Sequence, residues 1–146
     1  MNRIDNAAVA RIWQRVHPQE ENIPIAALND ILYRERQIAA TYAYLLHREN
    51  KLLRNLYLQK RTAIACIKGL YALLGYTAPQ PTPAQHYKGT IEAVLRRCYA
   101  QQLVCIRLYE EYSAHPECAH VFSLLAQQAR QDSKSLLALL GTSPKR

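Results

Sequence analysis

Four polar side chains interrupt the apolar faces of four helical segments: Glu35, Lys60, Gln102 and Asp132. Two of these segments share a spacing, a polar residue followed seven positions later by tyrosine, in Glu35…Tyr42 and Gln102…Tyr109. Seven residues is about two helical turns, so both members of each pair fall on one face. A carboxylate on an inward helix face, repeated in two halves of a chain, is how four-helix bundles build a metal site. Carboxylates bridge and neutralise the metal ions there, and imidazoles complete the coordination. In this chain one of the two carboxylates is an amide.

Helices must position these groups. From about Pro24 to Arg48, Leu28, Ile31, Leu32, Glu35, Ile38, Ala39, Tyr42, Leu45 and Leu46 recur at amphipathic spacing, and proline suits the first turn. Asn50 marks a turn too short for anything but antiparallel neighbours. A second helix is expected from Lys51 to Leu74, with Leu53, Leu56, Tyr57, Lys60, Ala63, Ile64, Ile67, Leu70, Tyr71 and Leu74 inward. Gly75 and Tyr76 suit a Schellman ending. Pro79, Pro81 and Pro83 then make an extended, stiff connector. From Gly75 to Gln85 it reaches about 36 Å at roughly 3.3 Å per residue, as long as a helix of about 24 residues. It can therefore cross the bundle and start the third helix parallel to the second.

The third helix is expected from about His86 to Ala114, lined inside by Ile91, Val94, Leu95, Cys98, Gln102, Cys105, Ile106 and Tyr109. His115-Pro116-Glu117 breaks the chain and restarts a fourth helix. That helix runs to Leu140, with Val121, Leu124, Leu125, Gln128, Asp132, Ser135, Leu136 and Leu139 inward and Gly141 as its cap. The expected fold is all-α: a bundle over residues 22–141, made of two αα-hairpins joined by a long crossover. Residues 1–21 hold a short amphipathic helix, with Ile4, Ala8, Val9, Ile12, Trp13 and Val16 on its apolar side and His17-Pro18 at its end. It would cover a face of its own bundle or of a partner subunit. Residues 142–146 are a tail.

The 146 residues make one domain, 49% hydrophobic, with a real core. No apolar run approaches a membrane span, and the N-terminus lacks the charged and apolar regions of a secretory signal; the expected address is the cytoplasm. Cys66, Cys98, Cys105 and Cys118 lack close-pair metal spacing, and the first three read as small buried hydrophobes. The net charge of +8 raises nucleic acid as a partner. The basic residues are scattered, with no interleaved aromatic platform, so a solvated helix exterior is the favoured reading.

The four helices, with their polar residues, resemble the ferritin-like superfamily, nearest to the rubrerythrin-like di-iron proteins, over roughly residues 22–140. Glu35 and Tyr42, with Ala39-Ala40 between them, match that family's first helix. The family pattern places a Glu on each of two helices and Glu-x-x-His on each of the other two. Here the second-helix pair falls on Lys60 and Ala63, the third-helix Glu on Gln102 with Tyr109 retained, and the fourth-helix pair on Asp132 and Ser135. The resemblance therefore implies former metal-site positions Glu35, Lys60, Ala63, Gln102, Asp132 and Ser135, with Tyr42 and Tyr109 behind them. Only Glu35 is intact and Asp132 is a shortened substitute. The function implied is that of a degenerate domain without cofactor: a non-catalytic structural or protein-interaction module, alone, as a homodimer or with a partner protein. The alternative is an iron-binding oxidase or iron-handling protein with a reduced site at Glu35 and Asp132.

Charge suggests what stands there now. Two buried carboxylates need compensation. In one reading Lys60 replaces the metal charge, bridging Glu35 and Asp132, with Gln102 donating to a carboxylate. In the other, Lys60 reaches out to solvent and Glu35 bonds Tyr109 or Arg36. Inward Tyr42, Tyr71 and Tyr109 are expected to bond buried carboxylates or carbonyls. His115, Cys118 and His120 could hold a metal, but read better as a helix restart. His17, His47 and His86 read as helix-boundary residues.

Overall fold

The computed structural model describes residues 23–46, 50–81 and 85–141. Four helices account for most of them: α1 (Ile25–Leu45), α2 (Lys51–Leu74), α3 (Ile91–Tyr112) and α4 (Ala119–Gly141), with no strand among the described residues. The expected all-α four-helix bundle is observed. The expected N-terminal helix, the 142–146 tail, His17 and His47 lie outside the described residues.

Local chemistry fixes the helix ends. Pro24 precedes α1 in extended conformation. The Asn50 side chain accepts the Leu53 amide at 3.0 Å and so caps α2. At the other end Gly75 adopts φ 78°, and the Tyr76 amide reaches back to the Tyr71 carbonyl at 2.8 Å. This is the Schellman closure that the sequence suggested.

The start of α3 differs from expectation. The helix begins at Ile91 rather than His86, because Thr90 caps it, accepting from the Ala93 amide at 3.2 Å. Gly89 before it sits at φ 133°, where a side chain would be strained. The residues freed from the helix tie down the connector: the Tyr87 amide donates to Thr41 Oγ1 at 3.0 Å, and the His86 ring stacks on Tyr44.

In cross-section α1 packs on α2 and α3, and α4 packs on the same two, closing a square in which the consecutive helices α2 and α3 face each other across the diagonal. Hydrogen bonds trace how the chain reaches that corner. Near the start of α1, Tyr71 Oη donates to Asn29 Oδ1 at 2.6 Å and Tyr76 Oη to the Ile23 carbonyl at 3.2 Å. Midway along α1, Arg36 Nη1 donates to the Pro79 carbonyl at 3.0 Å. Thr41 receives Tyr87 near its end. The connector thus climbs alongside α1, so α2 and α3 set out from the same end of the bundle.

The core is drawn from all four helices, including Leu32, Tyr42, Leu56, Ile67, Leu95, Cys98, Phe122 and Leu136. Two residues expected inside are outside. Leu124 is 53% exposed, because α4 turns Phe122, Ala126 and Ala129 inward. Those alanines let α4 approach closely to α3, its most extensive neighbour. Cys66 is exposed, on a stretch where α2 and α4 leave a groove between them.

Candidate buried polar centre

The four polar residues singled out by their spacing are all inside the bundle. Glu35 and Gln102 are fully buried, Lys60 is 1% exposed and Asp132 is 4% exposed. Each helix contributes one of them, because each falls in register with its own apolar stripe: Ile31, Leu32 and Ile38 around Glu35; Leu56, Ala63 and Ile67 around Lys60; Cys98 and Cys105 around Gln102; Ala129 and Leu136 around Asp132.

Glu35 is the hub. Lys60 Nζ donates to Glu35 Oε1 at 2.8 Å, and the Tyr109 hydroxyl donates to Glu35 Oε2. Both carboxylate oxygens therefore have a donor, from α2 and from α3. Burial, with the Glu35 carboxylate close by, pushes the Tyr109 hydroxyl well above the usual phenol range. That phenol stays protonated and serves as a donor.

Asp132 feels the charges of this hub but shares no hydrogen bond with it among the described residues. Its Oδ1 accepts from Gln128 Nε2 at 3.1 Å, one turn back on the same helix. Burial raises its carboxyl above the ordinary range. The Lys60 charge and the Gln128 hydrogen bond pull the other way, and the Glu35 charge adds to the rise. Lys60 is thus inward, as the first of the two charge readings expects, but among the described residues its hydrogen bond goes to Glu35 and not to Asp132. Tyr109 on Glu35 belongs to the second reading, so the observed arrangement combines parts of both.

Gln102 is the departure. Expected to donate to a carboxylate, it finds no hydrogen-bond partner for either amide atom among the described residues. The same holds for the buried Tyr42 hydroxyl, which burial pushes well above the usual phenol range. Tyr71, by contrast, bonds Asn29. Ala63 is buried in the α2 stripe, while Ser135 is only half-buried and its neighbour Ser133 lies inside. The Gln128–Asp132 bond was missed in the sequence, although glutamine four residues ahead of aspartate is a helical pairing signal. Cys98 also belongs to the surroundings: burial pushes its thiol up to about 12, with Lys60 pulling it down.

The donors present do not fit a di-metal centre. Both oxygens of Glu35 are engaged by a cation and a phenol, which a metal would have to displace. Among the described residues no three His, Cys, Asp or Glu side chains gather as ligands. His115 and Cys118 take part in the turn before α4, where the Cys118 amide donates to the His115 carbonyl at 3.0 Å, and His120 is exposed. Nor do the grooves beside α1–α2 and α2–α4 reach Glu35 or Lys60. What the arrangement can do is hold charge: a cation, a carboxylate and a phenol compensate one another at the junction of three helices.

No described helix is long and apolar enough to cross a membrane. Compared with protein-family models, curated proteins and solved structures, the chain matches none.

Proposed function

We propose that this chain is a degenerate ferritin-like bundle, nearest to the rubrerythrin-like proteins, that has exchanged a di-metal centre for an internal ion pair. It would work as a non-catalytic structural or protein-interaction module in the cytoplasm. The observation that carries this reading is the Lys60–Glu35 pair. An ammonium 2.8 Å from a buried carboxylate occupies the position where the resemblance expects a metal ligand. An unpaired carboxylate there would cost several kcal/mol, in order of magnitude. A lysine on the neighbouring helix removes that cost without metal. The diagonal placement of α2 and α3, with a connector running alongside α1, further supports the ferritin-like reading.

The reading is tested by adding ferrous iron and oxygen to the purified protein and measuring bound iron after gel filtration. No stoichiometric iron and no change in oxygen uptake are expected. About two tightly bound iron ions per chain, the number a carboxylate-bridged bundle centre holds, would overturn it.

A further inference from the structure

On the outer faces of the helices, Arg34 pairs with Asp30, Arg96 with Glu92 and Arg130 with Glu110. Three other cations gather without such partners. Arg36 of α1 and Arg61 and Lys68 of α2 line one pocket of about 390 Å³ between the two helices, and Pro81 of the connector lines it too. No Asp or Glu lines this pocket, and none of the three cations forms an ion pair with a described carboxylate. Glu35, beside Arg36 in the chain, is buried and held by Lys60 and Tyr109. Like charges gathered on facing helices repel one another, so an anion placed among them would stabilise the bundle.

We propose that this pocket binds a small aromatic phosphate, its phosphate held by Arg36 and Lys68 and its ring lying toward Tyr57. The volume falls within the range of small-molecule sites, roughly 300–1,000 Å³. Three cations call for more than one negative charge, which a phosphate monoester carries near neutral pH. Guanidinium and ammonium groups both bind phosphate, the first as a fork and the second as a point charge. Arg36 is already positioned: Nη1 donates to the Pro79 carbonyl at 3.0 Å, which leaves its other N–H donors for the ligand. Between the cations the wall is small and apolar, with Ala39, Ala40 and Ala43 of α1 and Ile64 of α2. Tyr57 adds an aromatic face, and the Arg61 guanidinium lies over that ring, 6.0 Å from its centroid. Tyr57, Arg61, Ile64 and Lys68 follow one another at spacings of three or four residues, so they share one face of α2. Tyr57 and Lys68 lie about 16 Å apart along the axis, which separates an aromatic end from a cationic one. The site is independent of the metal-site ancestry, since it reaches neither Glu35 nor Lys60.

The test is a titration of the full-length protein into 1-naphthyl phosphate at physiological salt, read by the anisotropy of the naphthyl emission. Saturable one-to-one binding is expected. Arg36→Gln and Lys68→Gln should each weaken it by about tenfold, the scale of one hydrogen bond to a charged group. Arg36 is half-buried and Lys68 exposed, so circular dichroism of both variants should stay helical. Arg107→Gln removes the same charge from an exposed site on α3 outside the pocket. It should weaken binding less than about twofold, because charges beyond roughly 8 Å are screened. Inorganic phosphate and 1-naphthol, the two halves of the probe, should each compete poorly. Vesicles containing phosphatidic acid, which offer the phosphate without a ring, should compete no better than inorganic phosphate. No saturable binding by the parent protein would overturn the proposal. Equal losses from Arg107→Gln and Lys68→Gln would also overturn it, leaving only an effect of net charge. So would inorganic phosphate or 1-naphthol binding as tightly as the probe, and stronger competition by the vesicles would overturn it by assigning the cations to a lipid surface.

Discussion

Lys60 and Glu35 meet across the α1–α2 interface, Nζ to Oε1 at 2.8 Å, with each side chain 1% exposed. A buried pair of this kind contributes little compared with apolar groups of the same volume, whereas losing one partner strands a charge. Lys60→Met should therefore destabilise the bundle by about 3–5 kcal/mol. Glu35→Leu combined with Lys60→Met should recover most of that loss. Urea denaturation of the single and double variants gives the coupling directly. A change in Lys60→Met within about 0.5 kcal/mol, typical of a surface site, would mean that the ammonium reaches water.

Gln102 makes the opposite prediction. It is fully buried, and neither amide atom has a partner among the described residues. A buried polar group left unsatisfied costs about 1–3 kcal/mol. Gln102→Leu should raise the denaturation midpoint without changing the m-value. A lower midpoint would show that the amide is satisfied in solution.

Asp132 should make stability depend on pH. Burial raises its carboxyl in the folded chain, against the pull of Lys60 and Gln128. Between the unfolded and the raised folded value, the folded chain keeps a proton that the unfolded chain has released. Stability contributed by this group is present below that window and falls as pH rises through it. Asp132→Asn, whose Oδ1 can still accept from Gln128, should melt higher than the parent at neutral pH. The two should converge once the parent carboxyl is protonated in both states. A variant that melts lower at neutral pH would show that the Lys60 attraction outweighs burial.

Much of the bundle was legible because its signals are local. The stripes of α1, α2 and α3 and the ends of α2 follow from spacing, Asn50 and Gly75, and the structure reproduces them. The start of α3 was misplaced by giving the apolar period more weight than Thr90, whose capping oxygen decides where the helix begins. The inner face of α4 was rotated toward Leu124 because leucines outweigh alanines in a hydrophobicity pattern. Ala126 and Ala129 are inside for their small size, which matters only once α3 is beside them. At the polar centre, burial was readable from each residue's helix face. Partners were not: whether Lys60 chooses Glu35 or Asp132 depends on relative helix heights, which no single segment encodes.

The connector offers a test of chain path. Tyr76 lies against Ile23, and Tyr87 against Thr41 near the other end of α1. Spin labels on the exposed positions 77 and 85 should therefore lie more than about 20 Å apart, close to the extended limit for eight residues. If the segment were coiled as a helix, the separation would fall to about 12 Å, and α2 and α3 would have to be joined as a hairpin.

The proposed ancestry can be tested by restoring what it says was lost. The variant combines Lys60→Glu, Ala63→His, Gln102→Glu, Asp132→Glu and Ser135→His and keeps Glu35, giving two Glu and two Glu-x-x-His pairs. Three of the changed positions, Lys60, Gln102 and Asp132, are buried in the bundle core, and Ala63 lies in the α2 stripe. Ser135 is half-buried and needs a longer side chain to reach inward, which histidine provides. Without metal the variant should be much less stable than the parent, since several carboxylates would share one buried site with no cation among them. Ferrous, cobalt or zinc ions should restore stability, because a ligand bound only by the folded state shifts the equilibrium toward it. Cobalt absorption would report the coordination geometry. A variant as stable as the parent without metal, and indifferent to added ions, would show that these positions do not converge and that at least one helix is wrongly aligned with the ferritin-like pattern.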